Sequence, residues 1–233
     1  MSTRVATALF SVACLSAVSL VFLASCSSLA GDQSGGRYTA PGGLFSVAVP
    51  QMSLGAATED STGKNPETNL PVGSVSFHDD FGYVCAIQYE QIDTEVSQKL
   101  SDKARTTDML RGVATDITLY RIQQFSPQSR IVHEEPVSLP DGVSAWFAVL
   151  EIPEGSATAV IDAEHPQGKR LDSTRGFLLL CRGQLFLTLS EAHDIDFGAL
   201  SGKKPEAPKV LDQAATDRMR DSLAKLYASM SFK

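Results

Sequence analysis

The sequence predicts an α+β fold: an antiparallel β-sheet of about six to seven strands covered by two amphipathic helices. Three observations predict it. Short apolar runs with a period of two, each closed by Gly, Pro or Asp, recur along the chain. Two stretches, beginning at Glu95 and at Asp212, carry apolar residues at helical spacing instead. The order strand, hairpin, helix, four strands, helix then sets the helices against an antiparallel sheet.

Before the fold comes a leader. Met1 to Arg4 is short and basic, and Val5 to Leu23 is an apolar run in which Ser11, Ser16 and Ser19 fall. Small residues, Ala24 and Ser25, precede Cys26, giving the charged start, apolar middle and small-residue cut of an export signal. A membrane-spanning helix needs about 20 apolar residues, and the three serines argue against that reading. Cys26 sits at the border with a polar, glycine-containing segment, "SSLAGDQSGGR", which reads as a flexible tether. The expected organisation is a signal peptide over 1–25, a tether over 26–37 and one folded domain over 38–233.

The elements follow in order. Pro41-Gly42-Gly43 marks a turn, Leu44 to Val49 a strand, and Pro50 its stop. Gln51 to Leu70 is polar and reads as a long loop. Val72 to Phe77 and Phe81 to Tyr89 read as a hairpin folded at Asp79-Asp80. From Glu95, Val96, Leu100, Leu110, Val113, Ile117 and Tyr120 recur at helical spacing, with a break expected at Gly112. "RIVHEEPVSLPDGVSAWFAVLEIP" gives two strands joined at Pro140-Asp141-Gly142. "TRGFLLLCRGQLFLTLSEA" gives a second pair folded at Arg182-Gly183. Polar insertions fill 153–173 and 194–210. A last helix spans about Asp212 to Met230, with Asp212 as N-cap and Ala215, Met219, Leu223, Leu226 and Met230 on one stripe.

Removal of 1–25 leaves 208 residues, and the net charge of the whole chain is −7. An acidic chain without a basic patch is a poor nucleic-acid binder, so no nucleic-acid partner is expected. Cys85 and Cys181 remain as a candidate disulfide in an oxidising compartment. By period two, Cys85 shares a face with Tyr83, Ile87 and Tyr89, and Cys181 with Phe177 and Leu179. The alternative is two buried free thiols.

The chain offers no catalytic or metal motif. It has no Gly-x-Ser-x-Gly and no phosphate-binding glycine loop followed by Lys. His78-Asp79-Asp80 lies at a turn where Asp is ordinary, and His193-Asp194-Ile195-Asp196 follows a strand. His133 stands beside Glu134-Glu135, and His165 falls in an insertion. Glu90, Glu134, Glu135 and Glu151 alternate with apolar neighbours and read as outward-facing. No catalytic residue, metal or cofactor is expected.

Two resemblances add to this. Leu23-Ala24-Ser25-Cys26 resembles the lipobox of bacterial lipoproteins, which implies cleavage after Ser25 and acylation of Cys26 by palmitate-type chains. Two chains anchor a protein stably where one binds reversibly. Ser27 stands where an aspartate would resemble a retention signal, which implies an outer-membrane protein facing the periplasm if the source has two membranes. "YTAPGGLFSVAVP", "SLPDGVSAWFAVLEI", "GFLLLCRGQLFLTLS" and "LAKLYASMSF" together resemble the PsbP-like fold. That fold is shared by a photosystem II extrinsic subunit, a Ran-binding nuclear transport factor and many bacterial lipoproteins, and its members mostly bind partners. The expectation is a lipid-anchored, non-catalytic binding or assembly module for another envelope protein, with its exposed apolar surface near 51–73 or 153–174. The alternatives are a carrier holding a small apolar or lipid ligand between helices and sheet, and an envelope enzyme.

Overall fold

A computed structural model describes residues 30–51, 57–79, 83–99, 103–156, 159–160, 166–193 and 212–233. Its centre is a seven-stranded sheet in the order β4-β5-β6-β12-β11-β8-β7, antiparallel throughout. These strands are β4 (Ala57–Lys64), β5 (Pro71–His78), β6 (Tyr83–Gln91), β7 (Arg130–Ser138), β8 (Ser144–Ile152), β11 (Ser173–Arg182) and β12 (Leu185–His193). A second, four-stranded sheet joins β1 (Asp32–Ser34), β2 (Arg37–Thr39), β3 (Phe45–Ala48) and β13 (Ser231–Phe232). Two short strands, β9 (Ala159–Val160) and β10 (Lys169–Arg170), pair in the second insertion.

Both faces of the large sheet are covered, by different means. On one face lie the small sheet and the helix α4 (Gln213–Ala228). Tyr38 meets Phe77 edge-on at 6.3 Å, Phe45 meets Tyr89 at 5.3 Å, and Leu223 is fully buried in the same core. On the other face a helical segment packs over β8 and β11. It comprises α1 (Thr94–Lys99), α2 (Lys103–Gly112), a π-helical turn (Val113–Leu119) and α3 (Tyr120–Gln123). Leu110, Trp146, Leu150, Phe177, Leu179 and Phe186 form that second core. The run Ala145 to Leu150 is buried at every residue because β8 has a core on either side. Over β5 and β6 the second face is polar instead, with Ser74, Ser76 and Gln88 at least partly exposed.

Local sequence explains the ends. The Asp212 side chain accepts from the Ala215 amide at 2.7 Å, the expected N-cap. Gly142 and Gly183 take the positive φ that their hairpin turns require. At Gly112 the α-helix gives way to the π-helical turn, whose wider i→i+5 bonding delays the helical phase. Tyr120 is therefore turned outward, 61% exposed, while Leu119 and Ile122 pack inward. It was expected on the buried stripe.

Several further expectations need correction. Gln51 to Leu70 is no simple loop, since β4 pairs along its whole length with β5. The tether is shorter than 26–37, because Asp32 to Ser34 pairs with β2 around a Gly35-Gly36 turn, and the chain is fixed from Ala30. Cys85 and Cys181 are free thiols. Cys85 belongs to the core under α4, whereas Cys181 packs on the core under the helical segment. Their strands are separated by β12 and their side chains point to opposite faces, so they cannot meet. Glu90 is 2% exposed and accepts from the Asn65 amide at 2.6 Å, where an outward position was expected. Leu23, Ala24, Ser25 and Cys26, with the insertion at 194–210, lie outside the described residues.

Candidate binding surface

At the β7 edge the helical segment and the sheet leave an open hollow of about 420 Å³. Arg111 and Thr115 line it from the helical side with Leu119, and Ile131 to Glu134 from β7. Its shape has a local cause. A β-bulge between Ile131 and His133 takes Val132 out of the ladder with β8 and leaves it 43% exposed. Pro136, which lacks a donor, sits in the same strand, a placement open only to edges. Arg111 spans the hollow's rim: it bonds Glu134 at 3.1 Å and stands 5.8 Å above the Trp146 ring. Beneath it the Trp146 indole N–H is buried without a hydrogen-bond partner among the described residues.

Three large apolar side chains are exposed among the described residues, and one of them, Val132, lines this hollow. They are Tyr120, Phe125 at 77%, and Val132. Phe125 sits in the turn from α3 to β7, a turn fixed by Gln123 donating to the Ser129 carbonyl at 2.8 Å and Ser126 to that of Pro153 at 2.9 Å. The aromatic ring is thus presented from a braced backbone. The apolar surface was expected near 51–73 or 153–174; among the described residues it stands at 119–132 instead. Composition could not reveal this, because the exposure of Tyr120 and Val132 follows from the π-helical turn and the bulge, and that of Phe125 from its place in the turn before β7.

A second open hollow, about 650 Å³, lies at one end of the sheet between Leu44, Gln91, Arg182, Gln184, Phe232 and Lys233. Its central cation is committed internally. Arg182 pairs with Asp141, bonds the Tyr227 hydroxyl at 2.9 Å and stacks 5.1 Å from the Phe232 ring. Burial pushes the Tyr227 hydroxyl up to about 12, and its bond to Asp141 adds to that. Burial works upward on Asp141 too, but the bonds from Tyr227 and Val143 and the charge of Arg182 hold its carboxyl below the ordinary value.

The residues singled out for chemistry do not converge. His78 faces Glu59 at 3.5 Å on the β4–β5 pair, and His133 faces Glu135 at 3.6 Å, two residues along the same strand, β7. Asp79 accepts from the Tyr83 amide, closing the hairpin as turn aspartates do. Among the described residues no group of three His, Cys, Asp or Glu side chains could hold a metal. His165, Asp80, Asp194 and Asp196 lie outside them. Cys85 sits beside Tyr83 and Glu191 inside the core; burial, then the charge of Glu191, pushes its thiol up to about 12. Burial does the same to Cys181. Thiols so held are inert packing groups.

No family model matches the chain, and no curated protein matches it. Among solved structures it is similar to the solution structure of cyanobacterial PsbP (CyanoP) from Synechocystis sp. PCC 6803. That match has 13% identity and a TM-score of 0.45, covering 91% of this chain and 99% of the other. A crystal structure from Bacteroides thetaiotaomicron matches at 9% identity with a TM-score of 0.37, over 86% of this chain and 49% of the other. Neither match carries an activity or a partner to this chain.

Proposed function

We propose that this chain is a lipid-anchored, non-catalytic module that engages another envelope protein through its β7 edge. The observation that carries the reading is the exposure of Tyr120, Phe125 and Val132 along the one segment that runs from α3 into β7, with Val132 lining the hollow. Solvent-facing aromatics held by a braced backbone cost little ordering entropy on binding, which is why such groups anchor interfaces. Arg111 and Glu134 supply a polar rim. The Leu23-Ala24-Ser25-Cys26 motif supports cleavage after Ser25 and acylation of Cys26, with Ser27 favouring the outer membrane, facing the periplasm, if the source has two membranes. The interior favours binding over carriage: large side chains fill the space between helices and sheet, Leu110, Leu178 and Leu179 among them at 0% exposure.

The test is photocrosslinking in cells of the source organism from a reactive side chain at Phe125 or Val132, with Ser61 on β4 as the control position. The reading expects one discrete adduct from the first two positions, and loss of the Val132 adduct in a Tyr120→Ser, Phe125→Ser double variant. Crosslinks that form equally from Ser61, or that survive the double substitution, overturn it.

A further inference from the structure

We propose that the β4 edge, with the β1–β2 hairpin beside it, is the surface that lies against the lipid bilayer, so that the β7 edge stands away from it. The inference rests on the reading of Cys26 as the acylated residue and adds the orientation that reading leaves open.

The Asp60 carboxylate fixes where the body is held. It accepts from the Ala30 amide at 2.8 Å, the Gly31 amide at 2.7 Å and the Tyr38 hydroxyl at 2.7 Å. A charged acceptor with three donors is a strong fastening. Gly31 lies so close that a Cβ there would stand 2.5 Å from the Thr39 carbonyl oxygen and 2.6 Å from the Tyr38 ring. The strap is thus seated on β4 from its first described residue. Only residues 27–29 separate it from Cys26. Four Cα steps reach at most about 14 Å, of which the headgroup layer takes up part.

The sheet order does the rest. From β4 to β7 there are six neighbouring strand pairs, about 29 Å at the usual ~4.8 Å spacing. A body pinned at one edge on so short a leash keeps that edge at the headgroups. Charge offers no competing attraction here, since the strap carries Asp32 and is seated on Asp60, both acidic. The contact is mechanical, and salt or anionic lipid should not change it.

The experiment uses the full chain, processed in a bacterial host and reconstituted into phosphatidylcholine vesicles carrying nitroxide-headgroup lipid. Fluorophores are placed at Ser61→Cys on β4 or Gln128→Cys beside β7, each in a Cys181→Ala background because Cys181 is only partly buried; the buried Cys85 thiol stays unlabelled. Intact-mass analysis first establishes acylation at Cys26. The expected result is several-fold stronger quenching at position 61 than at 128, unchanged by salt. Twenty Gly/Ser residues inserted after Ser28 should abolish the difference. Equal quenching in the acylated, uninserted protein overturns the orientation alone, as does a difference that persists with the insertion. A chain lacking acyl mass at Cys26 overturns the anchoring reading and this inference with it.

Discussion

At one edge of the large sheet β4 is held by side chains reaching out of the protein's interior, and at the other β7 is held by ion pairs in water. Asp60 gathers three donors on β4. Asn65, just beyond it, donates to the buried Glu90 while accepting from the Glu67 and Thr68 amides, so the β4–β5 turn is tied to β6. β7 relies on Arg111–Glu134, Arg130–Glu151 and Arg220–Glu135, all at 2.7–3.1 Å and all at least a quarter exposed. Exposed pairs contribute about 0–1 kcal/mol each, whereas a part-buried charged acceptor with several donors contributes more. A polar strand with no apolar stripe is therefore the well-fastened edge. The strand whose apolar residues pack on the core is the loosely held one, and it carries the exposed aromatics beside it.

The sharpest way to break this contrast is Asp60→Ala. It leaves the Tyr38 hydroxyl and two strap amides without their acceptor, and should lower stability by about 2–3 kcal/mol in urea unfolding. The thermal midpoint should fall by roughly 5–10 °C. Asp60→Asn, which keeps one acceptor oxygen, should fall between. A loss no larger than that of a surface substitution would mean that the strap merely decorates β4.

That fastening also marks where sequence reading succeeds and where it stops. The β5–β6 and β11–β12 hairpins and the Asp212-capped helix are legible because their apolar period and caps are local properties. β4, reading Ala-Thr-Glu-Asp-Ser-Thr-Gly-Lys, has no such period; it is a strand because β5 offers it a ladder, a non-local cause. The face that each cysteine shares with its strand neighbours follows from alternation. Which side of the sheet that face meets depends on the register through β12, which no single strand encodes. Glu90 follows the buried Tyr89 because the Asn65 turn covers one face there and the core the other. The exposed apolar surface proposed for binding was the least legible, since a π-helical turn, a braced turn and a bulge set its side chains outward.

The second prediction probes the fastened edge at its other anchor. Burial holds the Glu90 carboxyl above its ordinary value, against the hydrogen bond from Asn65 and the charge of Arg121. A carboxyl raised in the folded state favours folding while protonated and loses that contribution as pH rises above the unfolded value. Glu90→Gln should therefore raise the thermal midpoint at pH 7, by a few degrees for about 1 kcal/mol. The gain should vanish below pH 4, where both side chains are neutral. A gain independent of pH would point to packing rather than charge.

On the loosely held edge, Arg220→Ala removes the bond from α4 to Glu135 and the contact with Asp217. The loss should be about 0.5 kcal/mol and should shrink further in 1 M salt, where the screening length falls to about 3 Å. A loss that matches Asp60→Ala and ignores salt would erase the distinction between the edges.

The smallest expected change in stability belongs to the Tyr120→Ser, Phe125→Ser double variant. Both rings are mostly in water, so little apolar burial is lost, and the effect should stay within about 0.5 kcal/mol. The braces at Ser126 and Gln123 keep the turn in place without them. An unchanged urea midpoint together with loss of the Val132 crosslink would separate binding from folding at this edge. If stability instead fell by 2 kcal/mol or more, the rings would be packing elements of the second core, and the β7 edge would lose its claim to a partner.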